Sequence, residues 1–160
     1  MRILLVDDDF NARRTLRKLL SDQYDDLTFL NDASNVDEAA IQITEENPNL
    51  VFLDIQLGDR KSFEIFTKMK VDCPVIFVTA YDSFALEAYN NLAVGYILKP
   101  IDRQKLYQTF ERARLLNDPY EKVDDSKQKY LKKLVLPGNR EAKTVNINSI
   151  QYLKADGVYC

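Results

Sequence analysis

Three acidic residues in succession, Asp7, Asp8 and Asp9, close an apolar run, Ile3-Leu4-Leu5-Val6. A second apolar run, Leu50-Val51-Phe52-Leu53, closes on Asp54. Carboxylates gathered at short range repel one another strongly in a low dielectric, so such a grouping calls for a cation. A set of hard oxygen ligands suits Mg²⁺. A carboxylate held beside that ion can attack phosphorus and form an acyl phosphate. Two further apolar runs end on groups suited to the same chemistry. Val75-Ile76-Phe77-Val78 leads into Thr79-Ala80, and Tyr96-Ile97-Leu98 into Lys99-Pro100. A Thr hydroxyl can donate a hydrogen bond to a phosphoryl oxygen, and a Lys ammonium can neutralise it as a point charge.

The elements that must position these groups follow from periodicity. Short apolar runs with β-branched members read as buried parallel strands. The C-terminal ends of such strands face the crevice where ligands bind. Between the runs the texture is helical. Ala12, Leu16, Leu19 and Leu20 form one stripe. Leu27 to Leu30 reads as a short second strand. Asn35 followed by Glu38 resembles a capping box and opens a helix carrying Val36, Ala39, Ala40 and Ile43, which must end before Pro48. Phe63, Phe66 and Met69 suit a third helix, Ser83 to Asn91 a fourth. Asp102 can cap a fifth, with Leu106, Phe110 and Ala113 inward. Five βα units with short loops imply an α/β fold, a doubly wound five-stranded parallel sheet with helices on both faces.

Asn117-Asp118-Pro119 breaks the pattern, which divides the chain into a domain over 1–117, a polar linker over 118–130 and a β-rich segment over 131–160. In that last segment Leu134-Val135-Leu136 and Thr144-Val145-Asn146-Ile147 flank Pro137-Gly138-Asn139 as a hairpin-like pair, and Ile150 to Leu153 suggests a third strand. Three short strands do not bury a core alone, so the expectation is the start of a domain that runs past Cys160.

Composition excludes several functions. The 160 residues contain no His, which removes His-ligated zinc and phosphohistidine chemistry from the chain itself. A net charge of −3 does not favour polyanion binding by the chain as a whole. The basic cluster Lys127, Lys129, Lys132 and Lys133 could touch phosphates or be a solvated linker, since Asp124 and Asp125 adjoin it. There is no Gly-rich phosphate loop. Cys73 and Cys160 form no Cys-x-x-Cys pair; Cys73 reads as a buried apolar residue. No apolar run approaches the length of a membrane span, and Met1-Arg2 opens no signal peptide, so the expected location is the cytoplasm.

An acidic pair after the first strand, Asp after the third, Thr-Ala after the fourth and Lys-Pro after the fifth, in that order, resemble the receiver domain of two-component response regulators. The resemblance covers roughly Met1 to Leu116. It implies the strand order 2-1-3-4-5 of flavodoxin-like sheets. It implies Asp54 as phosphoacceptor and Asp8 and Asp54 as ligands of Mg²⁺ together with the Gln56 backbone carbonyl. Asp7 would act through a bound water. Thr79 and Lys99 would serve the phosphoryl group, Thr79 and Tyr96 the conformational switch, and Lys99-Pro100 would be cis. Gln56 and Tyr81 would flank the path of attacking water. Two positions depart from the family's habit, Gly58 where Pro is frequent and Ser62 where Gly is frequent.

The stretch Tyr81 to Tyr89, with Tyr96-Ile97-Leu98-Lys99-Pro100-Ile101, is similar to the LytTR class (LytR and AgrA-like regulators), in which a mostly β DNA-binding domain follows the receiver. Asn148 to Leu153 and Gly157-Val158-Tyr159 look like the beginning of that domain. The resemblance implies a switch rather than an enzyme with turnover, though one able to lose its own phosphoryl group. Its partners would be a sensor histidine kinase, a second copy of the chain on phosphorylation, and DNA only through a complete output domain. The dimer face would carry Phe84, Ala88, Leu92 and Tyr107. Two other classes stay open. An Asp-nucleophile phosphohydrolase would need a second acid two residues after the nucleophile, where Gln56 stands. An inert protein-binding pseudo-receiver would fail to bind a phosphoryl mimic.

Overall fold

The computed structural model describes residues 1–90, 93–116, 133–136 and 143–146. It forms two compact units, Met1–Asp118 and Pro119–Cys160. The first contains β1 (Arg2–Val6), α1 (Phe10–Ser21), β2 (Thr28–Phe29), α2 (Val36–Glu46) and β3 (Leu50–Leu53). Then come β4 (Gln56–Leu57), β5 (Arg60–Lys61), α3 (Glu64–Lys68), β6 (Val75–Thr79), α4 (Ala85–Asn90), β7 (Ala93–Leu98) and α5 (Arg103–Leu116). In the second unit β8 (Lys133–Leu136) pairs antiparallel with β9 (Lys143–Asn146). The expected third strand at Ile150, Cys160, Leu92 and most of the basic cluster lie outside the described residues.

The main sheet is parallel, with order β2-β1-β3-β6-β7. Counting its strands alone, this is the 2-1-3-4-5 order. Side chains alternate across a strand, and each of the two cores takes one parity. Leu4, Val6, Val51, Leu53, Val75 and Phe77 meet Val36, Ala39 and Ile43 of α2, Ile65 of α3 and Ala88 of α4. Ile3, Leu5, Leu50, Phe52, Ile76 and Val78 meet Leu16, Leu19 and Leu20 of α1 and Leu106, Phe110 and Ala113 of α5. Strands buried on both faces have no polar side to show, hence the unbroken apolar runs. Each large side chain fully buried here, such as Phe52 or Phe77, contributes about 1.5–3 kcal/mol.

Local chemistry sets the ends. Asn35 caps α2, its Oδ1 accepting from Asp37 N at 3.1 Å and Glu38 N at 2.9 Å. The returning arm differs from a simple capping box. Glu38 Oε2 accepts from the amide and hydroxyl of Ser34, both at 2.8 Å, one residue ahead of the cap. Those bonds hold its carboxyl below the usual range. Asn47, at φ +44°, ends α2 in the left-handed region just before Pro48. Asp102 Oδ1 accepts from Lys105 N at 2.7 Å and caps α5.

Four elements differ from the sequence reading. β2 is only two residues long, although Leu30 N still donates to Ile3 O at 2.9 Å. α3 is one short turn beginning after Phe63, because the chain before it folds into the β4–β5 hairpin. α4 starts at Ala85 rather than Ser83. β7 starts at Ala93, three residues before Tyr96, and its pairing with β6 slips between Val75 and Ile76.

Gly95 sits where α5 crosses β7. A Cβ there would collide with Thr109 Cγ2 and touch Ile76 Cγ1 at 3.4 Å. Gly95→Ala should therefore cost about 1–3 kcal/mol by overpacking. Adding Thr109→Ser, which deletes the colliding methyl, should recover most of that loss in urea melts. Two independent, additive effects would show that the close approach is not the cause.

Candidate functional site

The parallel register pairs Val6 with Leu53, so the next residues, Asp7 and Asp54, emerge side by side. Asp54 N donates to Val6 O at 2.8 Å and continues the ladder. Oxygens of Asp7, Asp8 and Asp54 lie within 4.8 Å of one another. Asp7 and Asp54 are buried and Asp8 is exposed. Asp9 turns away and caps α1, accepting from Asn11 N at 2.8 Å. The acidic run thus divides into two residues that face the crevice and one that starts a helix.

Lys99 arrives from the end of β7. Its amide donates to Thr79 O at 2.8 Å, and the Lys99-Pro100 peptide is cis. Its Nζ donates to Asp7 Oδ2 at 2.7 Å and to Asp54 Oδ2 at 2.6 Å. Burial works against the ammonium, but its bonds to Asp54 and Asp7 outweigh burial and raise its pKa. For Asp7 the balance goes the other way. Burial raises its pKa more than Lys99 and the Asp9 amide lower it, and the neighbouring Asp54 charge adds to the rise. The asymmetry has a simple source, since two buried carboxylates share one ammonium.

The residues present fit a hard divalent cation. They offer carboxylate oxygens only, they carry more negative charge than Lys99 neutralises, and Asp8 stands exposed beside its two buried partners. Gln56 begins β4 next to the site, its amide directed at Asp54 Oδ1 at 3.4 Å. Its side chain turns into the hairpin, where Nε2 donates to Gly58 O at 2.8 Å. Ser62 is fully buried and its amide closes on Ile55 O at 2.8 Å.

Thr79 is fully buried at the end of β6, its hydroxyl oxygen 3.5 Å from Tyr81 N. The Tyr96 hydroxyl donates to Tyr81 O, and its ring lies against Phe77. Tyr81 is exposed and meets Phe84 edge-on. Thr79, Tyr81 and Tyr96 are therefore one connected set.

The structure corrects the expected dimer face at Ala88. Ala88 is 1% exposed and belongs to the core. Phe84 packs on Phe63 and Tyr81 beneath the Lys61 ammonium, 4.2 Å from its ring centroid. The Tyr107 hydroxyl donates to Leu19 O at 3.2 Å and its ring meets Tyr24, which turns it toward α1. An apolar stripe on a surface helix marks the face that packs inward, which accounts for the burial of Ala88. Among the described residues, Leu86 on α4 (74% exposed) and Leu98 on β7 (37%) are large apolar groups left outward there.

Two participants carried no sequence signal. The Arg13 guanidinium donates to the Asp7 carbonyl and, through Nε, to Asp32 at 3.3 Å, bracing the acidic loop from behind. The Gly58 amide donates to Asp8 Oδ2 at 3.1 Å. The first joins α1 to the loop just before it, the second the hairpin turn to the acidic loop 50 residues away. Cys73 is half-buried, and burial pushes its thiol up to about 11.

A family model described as the response regulator receiver domain matches residues 3–111. The chain belongs to the response regulator receiver domain family. The chain is 34% identical over 161 residues to the sensory transduction protein LytT of Bacillus cereus, covering 96% of this chain and 65% of that protein. It is 32% identical to LytT of Bacillus subtilis, covering 95% and 64%. The chain thus spans just under two thirds of the length of these LytT-type regulators. A CheY-like receiver from Methanospirillum hungatei JF-1 superposes with a TM-score of 0.63 at 26% identity, covering 72% of this chain and 94% of that one. The response regulator domain of Thermotoga maritima CheB does so at 0.62 and 26%, covering 73% and 96%. Among the described residues no helix is long and apolar enough to cross a membrane.

Lys99→Met should destabilise the receiver by about 3 kcal/mol at pH 7 without divalent cations, because two buried carboxylates lose their ammonium. The folded-state pKa of Asp7, already raised, should rise further. A carboxyl with a raised folded pKa destabilises the fold once it ionises, so the loss should shrink as pH falls toward 4. Urea melts at the two pH values check this; equal losses would assign Lys99 a packing role.

Proposed function

We propose that the receiver is the phosphoacceptor of a two-component system. Asp54 Oδ attacks the phosphorus of a phosphohistidine on a sensor kinase. A P–O bond forms, the P–N bond breaks, and the imidazole leaves with its electron pair. The chain has no His, so the donor must be a partner. Asp7, Asp8 and Asp54, with the Gln56 backbone, would hold Mg²⁺, which when bound neutralises the acids and orients phosphoryl oxygens. Lys99, already bonded to Asp54, would follow the new charge, and the Thr79 hydroxyl would donate to it. The Asp7–Lys99–Asp54 arrangement at the strand ends carries this reading.

Phosphorylation would then be read through Thr79, Tyr81 and Tyr96 on the face of α4, β7 and α5. Its outward groups, Leu86 and Leu98, would join two copies, and in an intact regulator of the LytTR class the pair would present two DNA-binding domains. This is a cytoplasmic switch without turnover of external substrates. Gln56 speaks against a small-molecule phosphohydrolase, since an amide held in the hairpin cannot act as general acid or base.

With Mg²⁺ and a small-molecule phosphodonor, intact mass should show one added phosphoryl group on the wild-type chain and none on Asp54→Asn. Equal labelling of the Asn variant would remove Asp54 from the role. For the output, sedimentation should show tighter self-association with a phosphoryl mimic, lost in Leu86→Ser/Leu98→Ser. Association unchanged by the mimic would refute the dimer switch.

A further inference from the structure

The hairpin after Asp54 is held by side-chain bonds as well as by its own short ladder. Each strand has two residues, too few for independent stability. Gln56 Nε2 bridges the turn to the carbonyls of Gly58, at 2.8 Å, and Arg60, at 3.4 Å. The Arg60 guanidinium reaches Asp37 of α2 at 2.8 Å and Glu64 of α3 at 2.6 Å. Gly58 adopts φ +65°, a conformation glycine takes without strain, and in it the amide meets Asp8 Oδ2 at 3.1 Å.

That bond joins the hairpin to the exposed member of the acid cluster. An exposed carboxylate must be ordered before it can ligate, and ordering costs side-chain entropy. An N–H donated to an ionised carboxylate is among the stronger hydrogen bonds. A carboxylate has about four lone-pair sites, so this donor and a cation can share it. We propose that the Gly58 amide is a positioning group for Asp8, so that the ordered 56–61 hairpin and a divalent cation at the acid cluster stabilise each other. The inference rests on the reading of that cluster as a cation site. Linkage makes the effect reciprocal, the hairpin tightening the cation and the cation protecting the hairpin.

The test is Mg²⁺ titration of the 160-residue chain by calorimetry at constant ionic strength. Gly58→Pro has no N–H and cannot reach a positive φ; Gly58→Asn keeps the N–H and tolerates that φ. Partners that orient a metal ligand typically affect affinity by about 10–100-fold. Gly58→Pro should bind Mg²⁺ about tenfold more weakly than wild type, and Gly58→Asn within about twofold of it. In the wild type, saturating Mg²⁺ should slow hydrogen exchange at the Gly58 amide about fivefold or more, a readout that stands even if the Pro variant does not fold. Equal affinity in wild type and Gly58→Pro, or exchange at Gly58 indifferent to Mg²⁺, overturns the inference and leaves the cation site intact. Absence of saturable binding in the wild type overturns the cation site beneath it.

Discussion

The pairing of β1 with β3 decides the chemistry of this receiver. Once Val6 lies opposite Leu53, Asp7 and Asp54 must leave the sheet as neighbours, both buried, with Asp8 beside them. Two carboxylates in that position repel each other in a poorly screened setting. The pairing of Thr79 with Leu98 across β6 and β7 brings Lys99 to the same edge, where it bonds both acids. The fold thus assembles a charge cluster that one ammonium only partly balances.

The surrounding structure keeps that cluster rigid. Arg13 holds the Asp7 carbonyl and the loop carrying Asp32. On the other side the β4–β5 hairpin reaches Asp8 through Gly58 and is tethered to α2 and α3 through Arg60. Beneath both, two apolar layers of alternating strand residues leave the sheet little freedom.

From this edge a continuous set of rings leads toward α4. Phe77 touches Phe63, Phe66 and Tyr96, Phe63 touches Phe84, and Phe84 meets both Tyr81 and Lys61. Phe84, half-buried, therefore links the hairpin to the start of α4. Two chains of contacts thus converge on Phe84 at the start of α4, one through Thr79 and Tyr81, the other through Lys61 of the hairpin.

Much of this was legible in the sequence, because burial imposes periodicity. The apolar runs announced strands covered on both faces, and the acids, Thr79 and Lys99 stood at their ends because parallel strands present those ends to one crevice. The caps at Asn35 and Asp102 could be read because they act over three residues. Other features needed the folded chain. Composition does not show that Ala88 is buried while Phe84 and Tyr107 are half-buried, since an apolar stripe looks the same whether it packs on its own sheet or on a partner. The Gly58 bond to Asp8 spans 50 residues of chain, while the Arg13 bond to the Asp7 carbonyl and the room that Gly95 leaves for Thr109 each join one element to another. Local sequence determined which residues could form strands, helices and caps; tertiary structure alone decided which of them meet, because those contacts depend on register and crossing geometry rather than on neighbouring residues.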